Sequence, residues 1–76
     1  MIILYTKDNC HYCEKVKDTF YLHKVSFEER NIKEKKNLDE LLTYGVRTIP
    51  HLVDTTANVH MGESEDIIAY GLEGSF

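Results

Sequence analysis

Cys10 and Cys13 are the side chains of this sequence whose type and spacing most directly suggest chemistry. We expect Cys10 at the first turn of a helix, where backbone N–H groups lack intrahelical partners and the helix dipole is positive. Such a setting lowers the pKa of a thiol from ~8.5 to roughly 3.5–7.5 and so favours the thiolate. Cys10 would then attack a substrate disulfide. Cys13, almost one turn deeper on the same face, would attack the mixed disulfide and release the product.

The cysteine pair has two alternative interpretations, a structural disulfide and one half of a zinc site. A structural disulfide is uncommon in a reducing compartment. A zinc site needs two further ligands, and His23, His51 and His60 do not have the spacing of such ligands. A weak metal site that includes His51 stays open, but we expect no bound metal.

Two basic side chains stand close to the cysteines in the sequence. Lys7 precedes Cys10 by three residues and would add positive charge near its sulfur. His11 would do the same if protonated, but an exposed polar residue at the start of a helix is an equally good interpretation.

The bulk composition is that of one small globular domain over residues 1–76. The chain is 42% hydrophobic and 29% charged, a balance that argues against disorder. Its 13 acidic and 9 basic residues give a formal net charge of -4, which disfavours a nucleic-acid partner. The apolar start is too short for a membrane span and lacks the basic region of a signal peptide. We therefore expect a cytoplasmic monomer with no membrane partner.

The elements that position the cysteines begin with a strand and a helix. An apolar run over residues 2–6 predicts a buried strand. Apolar residues at helical spacing predict an amphipathic helix over about 11–22, with Asn9 as a capping residue. Alternation over residues 25–30 predicts a second strand, whose acidic polar side indicates the edge of a sheet.

The second half of the chain predicts two more helices and a hairpin. Leucines at helical spacing predict a helix that begins near Lys33 or is capped by Asn37, and that ends at Gly45. Two short apolar runs around a polar turn over 54–58 predict a β-hairpin, and Ser64 is expected to cap a final helix. The order β-α-β-α-β-β-α predicts an α/β fold, a four-stranded mixed sheet with helices on both faces.

Three segments and this order of elements resemble glutaredoxins over about residues 2–72. Residues 7–13 (Lys-Asp-Asn-Cys-His-Tyr-Cys) are similar to the family's Lys-x-x-Cys-Pro-Tyr-Cys. Residues 45–50 are similar to its Gly-x-Arg-Thr-Val-Pro, and residues 62–67 to its Gly-Gly-Cys-Asp-Asp-Leu. The element order resembles the minimal thioredoxin fold. This sequence differs by His11 in place of proline, Glu63 in place of glycine and Ser64 in place of cysteine.

The resemblance implies a glutathione-binding groove beside the cysteines. A cis peptide bond before the family's proline would let the main chain of Ile49 pair with the cysteinyl part of glutathione. Lys7 and Arg47 would bind the glycyl carboxylate of glutathione. Glu65 or Asp66, together with backbone N–H groups at the start of the last helix, would bind its γ-glutamyl end. The residues that the resemblance assigns to this groove are Lys7, Tyr12, Arg47, Thr48, Ile49, Pro50, Glu65 and Asp66.

The resemblance also implies an activity, a glutathione-dependent thiol-disulfide oxidoreductase with the two cysteines as catalytic residues. Its substrates would be protein disulfides and glutathione mixed disulfides, with ribonucleotide reductase as a client by analogy. Two alternatives stay open: a glutaredoxin-like redoxin reduced by thioredoxin reductase, and an iron–sulfur or metal-binding carrier that uses the first cysteine. Without the resemblance, Arg47, Glu65 and Asp66 fit simple surface charges, and Tyr12 fits an aromatic on a helix face.

Overall fold

The computed structural model describes residues 1–73 and contains seven elements in the predicted order. These are β1 (Ile2–Thr6), α1 (His11–Leu22), β2 (Glu28–Asn31), α2 (Lys35–Thr43), β3 (His51–Asp54), β4 (Val59–Met61) and α3 (Ser64–Glu73). Within this range, no helix is long and apolar enough to cross a membrane.

The four strands form one mixed sheet in the order β2-β1-β3-β4. β1 pairs in parallel with β2 and antiparallel with β3, so that Tyr5 lies opposite Arg30 on one side and His51 on the other. β3 and β4 form the predicted antiparallel hairpin. β2 lies at the edge of the sheet, as its charged residues predicted.

The alternation of side chains along β1 divides the core between the two faces of the sheet. Leu4 belongs to the cluster covered by α1 and α3, whose buried members are Leu4, Val16, Phe20, Val25, Leu52 and Ile67. Ile3 and Tyr5 belong to the cluster under α2, whose buried members are Ile3, Tyr5, Leu41 and Val53. The prediction of helices on both faces is therefore confirmed.

The first two helices begin at residues other than the predicted caps. Cys10 itself caps α1, and its side chain accepts a hydrogen bond from an amide of the first turn. Asn9 instead has a left-handed backbone with φ 57°. Glu34 precedes α2, whereas Asn37 is buried inside the helix, where its amide donates to the carbonyl of Asn31 at 2.9 Å. The capping roles predicted for Asn9 and Asn37 were therefore wrong.

The second strand starts three residues later than the alternation predicted. Lys24 adopts φ 56° at the end of α1, and the N–H of Val25 donates to the carbonyl of Phe20 at 2.8 Å. This bond closes the helix end and fixes Val25 outside the strand. Its side chain enters the core from the connecting segment rather than from β2.

The start of α3 differs from the prediction, whereas the end of α2 agrees with it. Ser64 is the first residue of α3 rather than its cap, because the carbonyl of Glu63 accepts the N–H of Ile67 at 2.9 Å. Gly45 follows the end of α2 with φ 78°, a conformation that glycine adopts without steric cost, as predicted.

Candidate active site

The two cysteines form a disulfide at the start of α1. Their Cα atoms lie 5.2 Å apart, and Cys10 has the extended backbone of a capping residue. The Sγ of Cys10 accepts a hydrogen bond from the backbone N–H of Cys13 at 3.2 Å. The same amide is placed to stabilise a thiolate on Cys10 when the disulfide opens, and the positive end of the helix dipole acts in the same direction.

The two sulfur-bearing residues differ in their access to solvent. Cys10 is 6% exposed, whereas Cys13 is 0% exposed and lies one turn before the buried Val16. An incoming thiol can therefore approach the disulfide only from the side of Cys10. This geometry suits the division of roles expected from the sequence, with an outer attacking sulfur and an inner resolving one.

An open groove of about 530 Å³ is lined by Tyr12, a residue that lies between the two cysteines in the sequence. Tyr12 is 58% exposed and forms one wall. The Ile49–Pro50 peptide bond, which is cis as the resemblance implied, contributes a second wall. The segment that leads into α3 completes the lining, and the residues concerned are Tyr12, Ile49, Pro50, Gly62, Glu63, Ser64, Glu65 and Asp66.

The groove contains some of the predicted binding residues and not others. Five of the eight lie in its wall: Tyr12, Ile49, Pro50, Glu65 and Asp66. Lys7, Arg47 and Thr48 are exposed and lie outside the lining. Thr48 is adjacent, since its Oγ1 lies 3.4 Å from the position that a Cβ on Gly62 would occupy.

Three lining residues, Gly62, Glu63 and Ser64, were not among the predicted binding residues. They directly precede Glu65 and Asp66, so their place in the sequence was the available signal. Gly62 and Glu63 belong to the connection between β4 and α3, and Ser64 is the first residue of that helix.

His51 does not approach the cysteines. It is 4% exposed, and its neighbour Leu52 faces α1 and α3, so the alternation of the strand directs His51 to the opposite face. There its Nε2 lies 3.2 Å from Nδ1 of His60. Burial, with a smaller contribution from His60, lowers the pKa of His51 below its ordinary value of 6.5.

The ring nitrogen of His51 that carries the proton follows from the surroundings of this side chain. Nδ1 of His51 is buried and has no hydrogen-bond partner within residues 1–73. A proton on this atom would be an unsatisfied buried donor, so we assign the proton to Nε2, which donates to His60. In residues 1–73 no group of three histidine, cysteine, aspartate or glutamate side chains could hold a metal ion.

These features define a class of protein. A four-stranded mixed sheet places a Cys-x-x-Cys pair at the start of its first helix. Tyr12, which lies between the two cysteines in the sequence, lines an open groove whose wall also contains a cis proline. This is the arrangement of a thioredoxin-fold protein with a dithiol–disulfide centre.

Comparisons with known proteins give the family. A family model described as Glutaredoxin matches residues 2–56. The N-acetyl-S-hydroxy-L-cysteine reductase of Bacillus subtilis (strain 168) is 37% identical over 68 residues, which cover 84% of this chain and 71% of that protein. The glutaredoxin-like protein NrdH of Lactococcus lactis subsp. lactis (strain IL1403) is 33% identical over 51 residues, covering 66% and 71% respectively. The crystal structure of the thioredoxin-like protein BC3987 covers 100% of both chains, with a TM-score of 0.78 and 22% identity.

The chain belongs to the glutaredoxin family, a family of thiol oxidoreductases. The resemblance to glutaredoxins that the sequence motifs indicated is confirmed, and so is the predicted thioredoxin-like fold.

Proposed function

We propose that this chain reduces protein disulfides and mixed disulfides of small thiols by dithiol exchange. The single observation that carries the proposal is the hydrogen bond from the N–H of Cys13 to the Sγ of Cys10. It provides a stabilised position for negative charge on the sulfur that solvent can approach.

The proposed cycle uses the two sulfurs in turn. The thiolate of Cys10 attacks one sulfur of the substrate disulfide, forms a mixed disulfide and releases the first substrate thiolate. Cys13 then loses its proton and attacks the Sγ of Cys10, which releases the second thiolate. The substrate gains two electrons, and the protein is left with the Cys10–Cys13 disulfide.

The same two thiols would reduce a sulfenic acid. The name of the Bacillus relative specifies a reductase of an S-hydroxy cysteine derivative. Attack by Cys10 on the hydroxylated sulfur would release water after protonation and form a mixed disulfide, and Cys13 would then resolve it as before. Oxidised small cysteine derivatives are therefore included in the proposed substrate range.

Thioredoxin reductase is the reductant that we favour for returning the disulfide to the dithiol. Glutathione carries two carboxylates, and the wall of the groove carries Glu63, Glu65 and Asp66. Lys7 and Arg47, which were expected to meet a carboxylate, lie outside the lining. A reductase that docks on the exposed face around Tyr12 needs no such contacts.

Glutathione is the second candidate reductant, and two observations favour it. The groove has a cis proline on one side, as the family resemblance implied for glutathione binding. On the other side it ends at the start of α3, where backbone N–H groups without intrahelical partners can receive a carboxylate. Two further parts of the proposed function are ribonucleotide reductase as a client, by analogy with the family, and the cytoplasmic location expected from the sequence.

Two coupled assays test the function and distinguish the reductants. The protein is supplied with a small disulfide and NADPH, together with either thioredoxin reductase or glutathione plus glutathione reductase. We expect faster NADPH oxidation with thioredoxin reductase, and none above background with the Cys10→Ser variant. Faster turnover with glutathione would reverse the choice of reductant. No turnover in either assay would refute the proposed function.

A further inference from the structure

The groove lined by Tyr12, which lies between the two cysteines in the sequence, has a strongly one-sided charge. Glu63, Glu65 and Asp66 contribute three carboxylates to its wall. Among the residues that the structure describes, no lysine, arginine or histidine belongs to this lining. The N-terminal end of α3 opposes the carboxylates with only about half a positive charge. A ligand in the groove therefore meets net negative charge.

The three carboxylates are also available to a ligand. None of them forms an ion pair or a side-chain hydrogen bond within residues 1–73, and all three residues are exposed. Some acids elsewhere on the surface are paired with a cation, for example Glu29 with Lys17 and Glu40 with Arg30. In the part of the chain that the structure describes, no cation pairs with the three carboxylates of the groove.

We propose that this groove selects disulfides flanked by basic residues and that Glu63 is a specificity-determining residue. The inference rests on the proposed dithiol exchange, since the acids act on a substrate whose disulfide Cys10 attacks. Substrates with ammonium or guanidinium groups next to the reacting sulfur gain attraction, whereas substrates with carboxylates there are repelled. The partner that this acidic groove would bind is a basic segment of a client protein.

The size of the effect follows from charges at an exposed site. A single charge pair a few ångströms apart in water changes an equilibrium or rate by about three-fold to five-fold. With three carboxylates partly offset by the helix end, we expect about a ten-fold preference for a basic over an acidic substrate. Salt should weaken it, because the screening length falls from about 10 Å at ~0.1 M to about 3 Å at ~1 M.

The test uses short peptides of equal length, each with one internal disulfide flanked by lysines, glutamines or glutamates. The reduced full-length protein is mixed with each peptide, and its oxidation is followed in a single turnover by acid quench, alkylation and mass measurement. No external reductant takes part, so the result does not depend on which reductase serves the protein. We expect rates in the order lysine, glutamine, glutamate, with the spread reduced at high salt.

Two matched variants assign the preference to the groove. Glu63→Gln should reduce the ratio of lysine-peptide to glutamate-peptide rates by about three-fold. Glu73→Gln removes the same charge about 15 Å away at the far end of α3, and should leave that ratio unchanged. Taking the ratio within each variant cancels differences in peptide reactivity.

The outcomes separate this inference from the function on which it rests. Equal rates for the three peptides, or equal shifts in the two variants, would overturn the charge selection while leaving dithiol exchange intact. Failure of the reduced protein to react with any peptide would instead refute the proposed function.

Discussion

Replacement of Gly71 by alanine tests whether the contact between α1 and α3 is as close as the structure describes. Gly71 is buried in α3, against the ring of Phe20 in α1. A Cβ at this position would lie 2.6 Å from Cζ of Phe20 and closer still to Cε1. Carbon atoms in contact prefer about 3.5–4.0 Å, so the ring or the helix must move by about 1 Å.

Two opposing terms determine the expected stability of Gly71→Ala. Overpacking of a filled core costs about 1–3 kcal/mol, and Phe20 has no room to withdraw because it is 0% exposed and packed edge-on against Phe27. Alanine in place of glycine inside a helix returns about 1 kcal/mol. The clash of about 1 Å places the overpacking cost in the upper part of its range, at about 2–3 kcal/mol. We therefore expect a net destabilisation of about 1–2 kcal/mol, or a fall in Tm of roughly 5–15 °C for a domain of this size.

The assay is thermal and urea unfolding of the oxidised protein, with two comparison variants. Ala69→Gly, at an exposed position of the same helix, should show the propensity term alone, a loss of about 1 kcal/mol. Phe20→Leu combined with Gly71→Ala should cost less than the sum of the two single changes, because the smaller side chain relieves the clash. A Gly71→Ala protein as stable as the wild type would refute the close packing of the two helices.

Two further predictions concern the cysteines and the buried histidine. Cys10→Ser should abolish all thiol transfer, whereas Cys13→Ser should spare reduction of a glutathione mixed disulfide and lose reduction of protein disulfides. Separate assays on the two substrates check this, and equal losses in both variants would contradict the roles. The pKa of His51 is lowered in the folded state, so the unfolded chain binds more protons than the folded one below about pH 6.5. The free energy of unfolding should therefore fall as the pH decreases from there, by at most about 1.4 kcal/mol per pH unit. His51→Phe should flatten this part of the curve in urea titrations between about pH 7 and pH 5, and an unchanged slope would contradict the assignment.

The order of elements could be predicted from the sequence because each has a clear hydrophobic period. The exact starts could not, because they depend on contacts between distant residues. Asn37 looks like a capping residue, but its amide is used by the carbonyl of Asn31 in the preceding connection. Val25 and Phe27 alternate like a strand, but Val25 is held by the end of α1.

The candidate site was predictable to a similar degree. The cysteine pair follows from its spacing, and the cis bond before Pro50 came from the family resemblance, since the residues alone favour trans. The positions of Lys7 and Arg47 could not be derived, because long exposed side chains do not take a fixed position without a partner. The place of Glu63 in the wall could not be derived either, because this residue belongs to the irregular connection between β4 and α3.

The pairing of the buried His51 with the exposed His60 was beyond prediction for a different reason. His51 and His60 are nine residues apart and meet as diagonal neighbours on one face of the hairpin. A shift of one residue in the register of β3 and β4 would place them on opposite faces.

Cys13 is completely buried, so its surroundings contribute to the stability of the folded protein. The reduction potential of the disulfide is therefore linked to that stability. The oxidised and reduced forms unfold to chains whose sulfur chemistry is that of an ordinary peptide. Around the closed thermodynamic cycle, any difference in unfolding free energy between the two folded forms reappears as a shift in reduction potential. About 1.4 kcal/mol corresponds to about 30 mV for a two-electron couple. An apolar substitution at Val16, one helical turn from Cys13, can therefore shift the reduction potential without moving either sulfur. It does so when it stabilises the oxidised and reduced forms to different degrees.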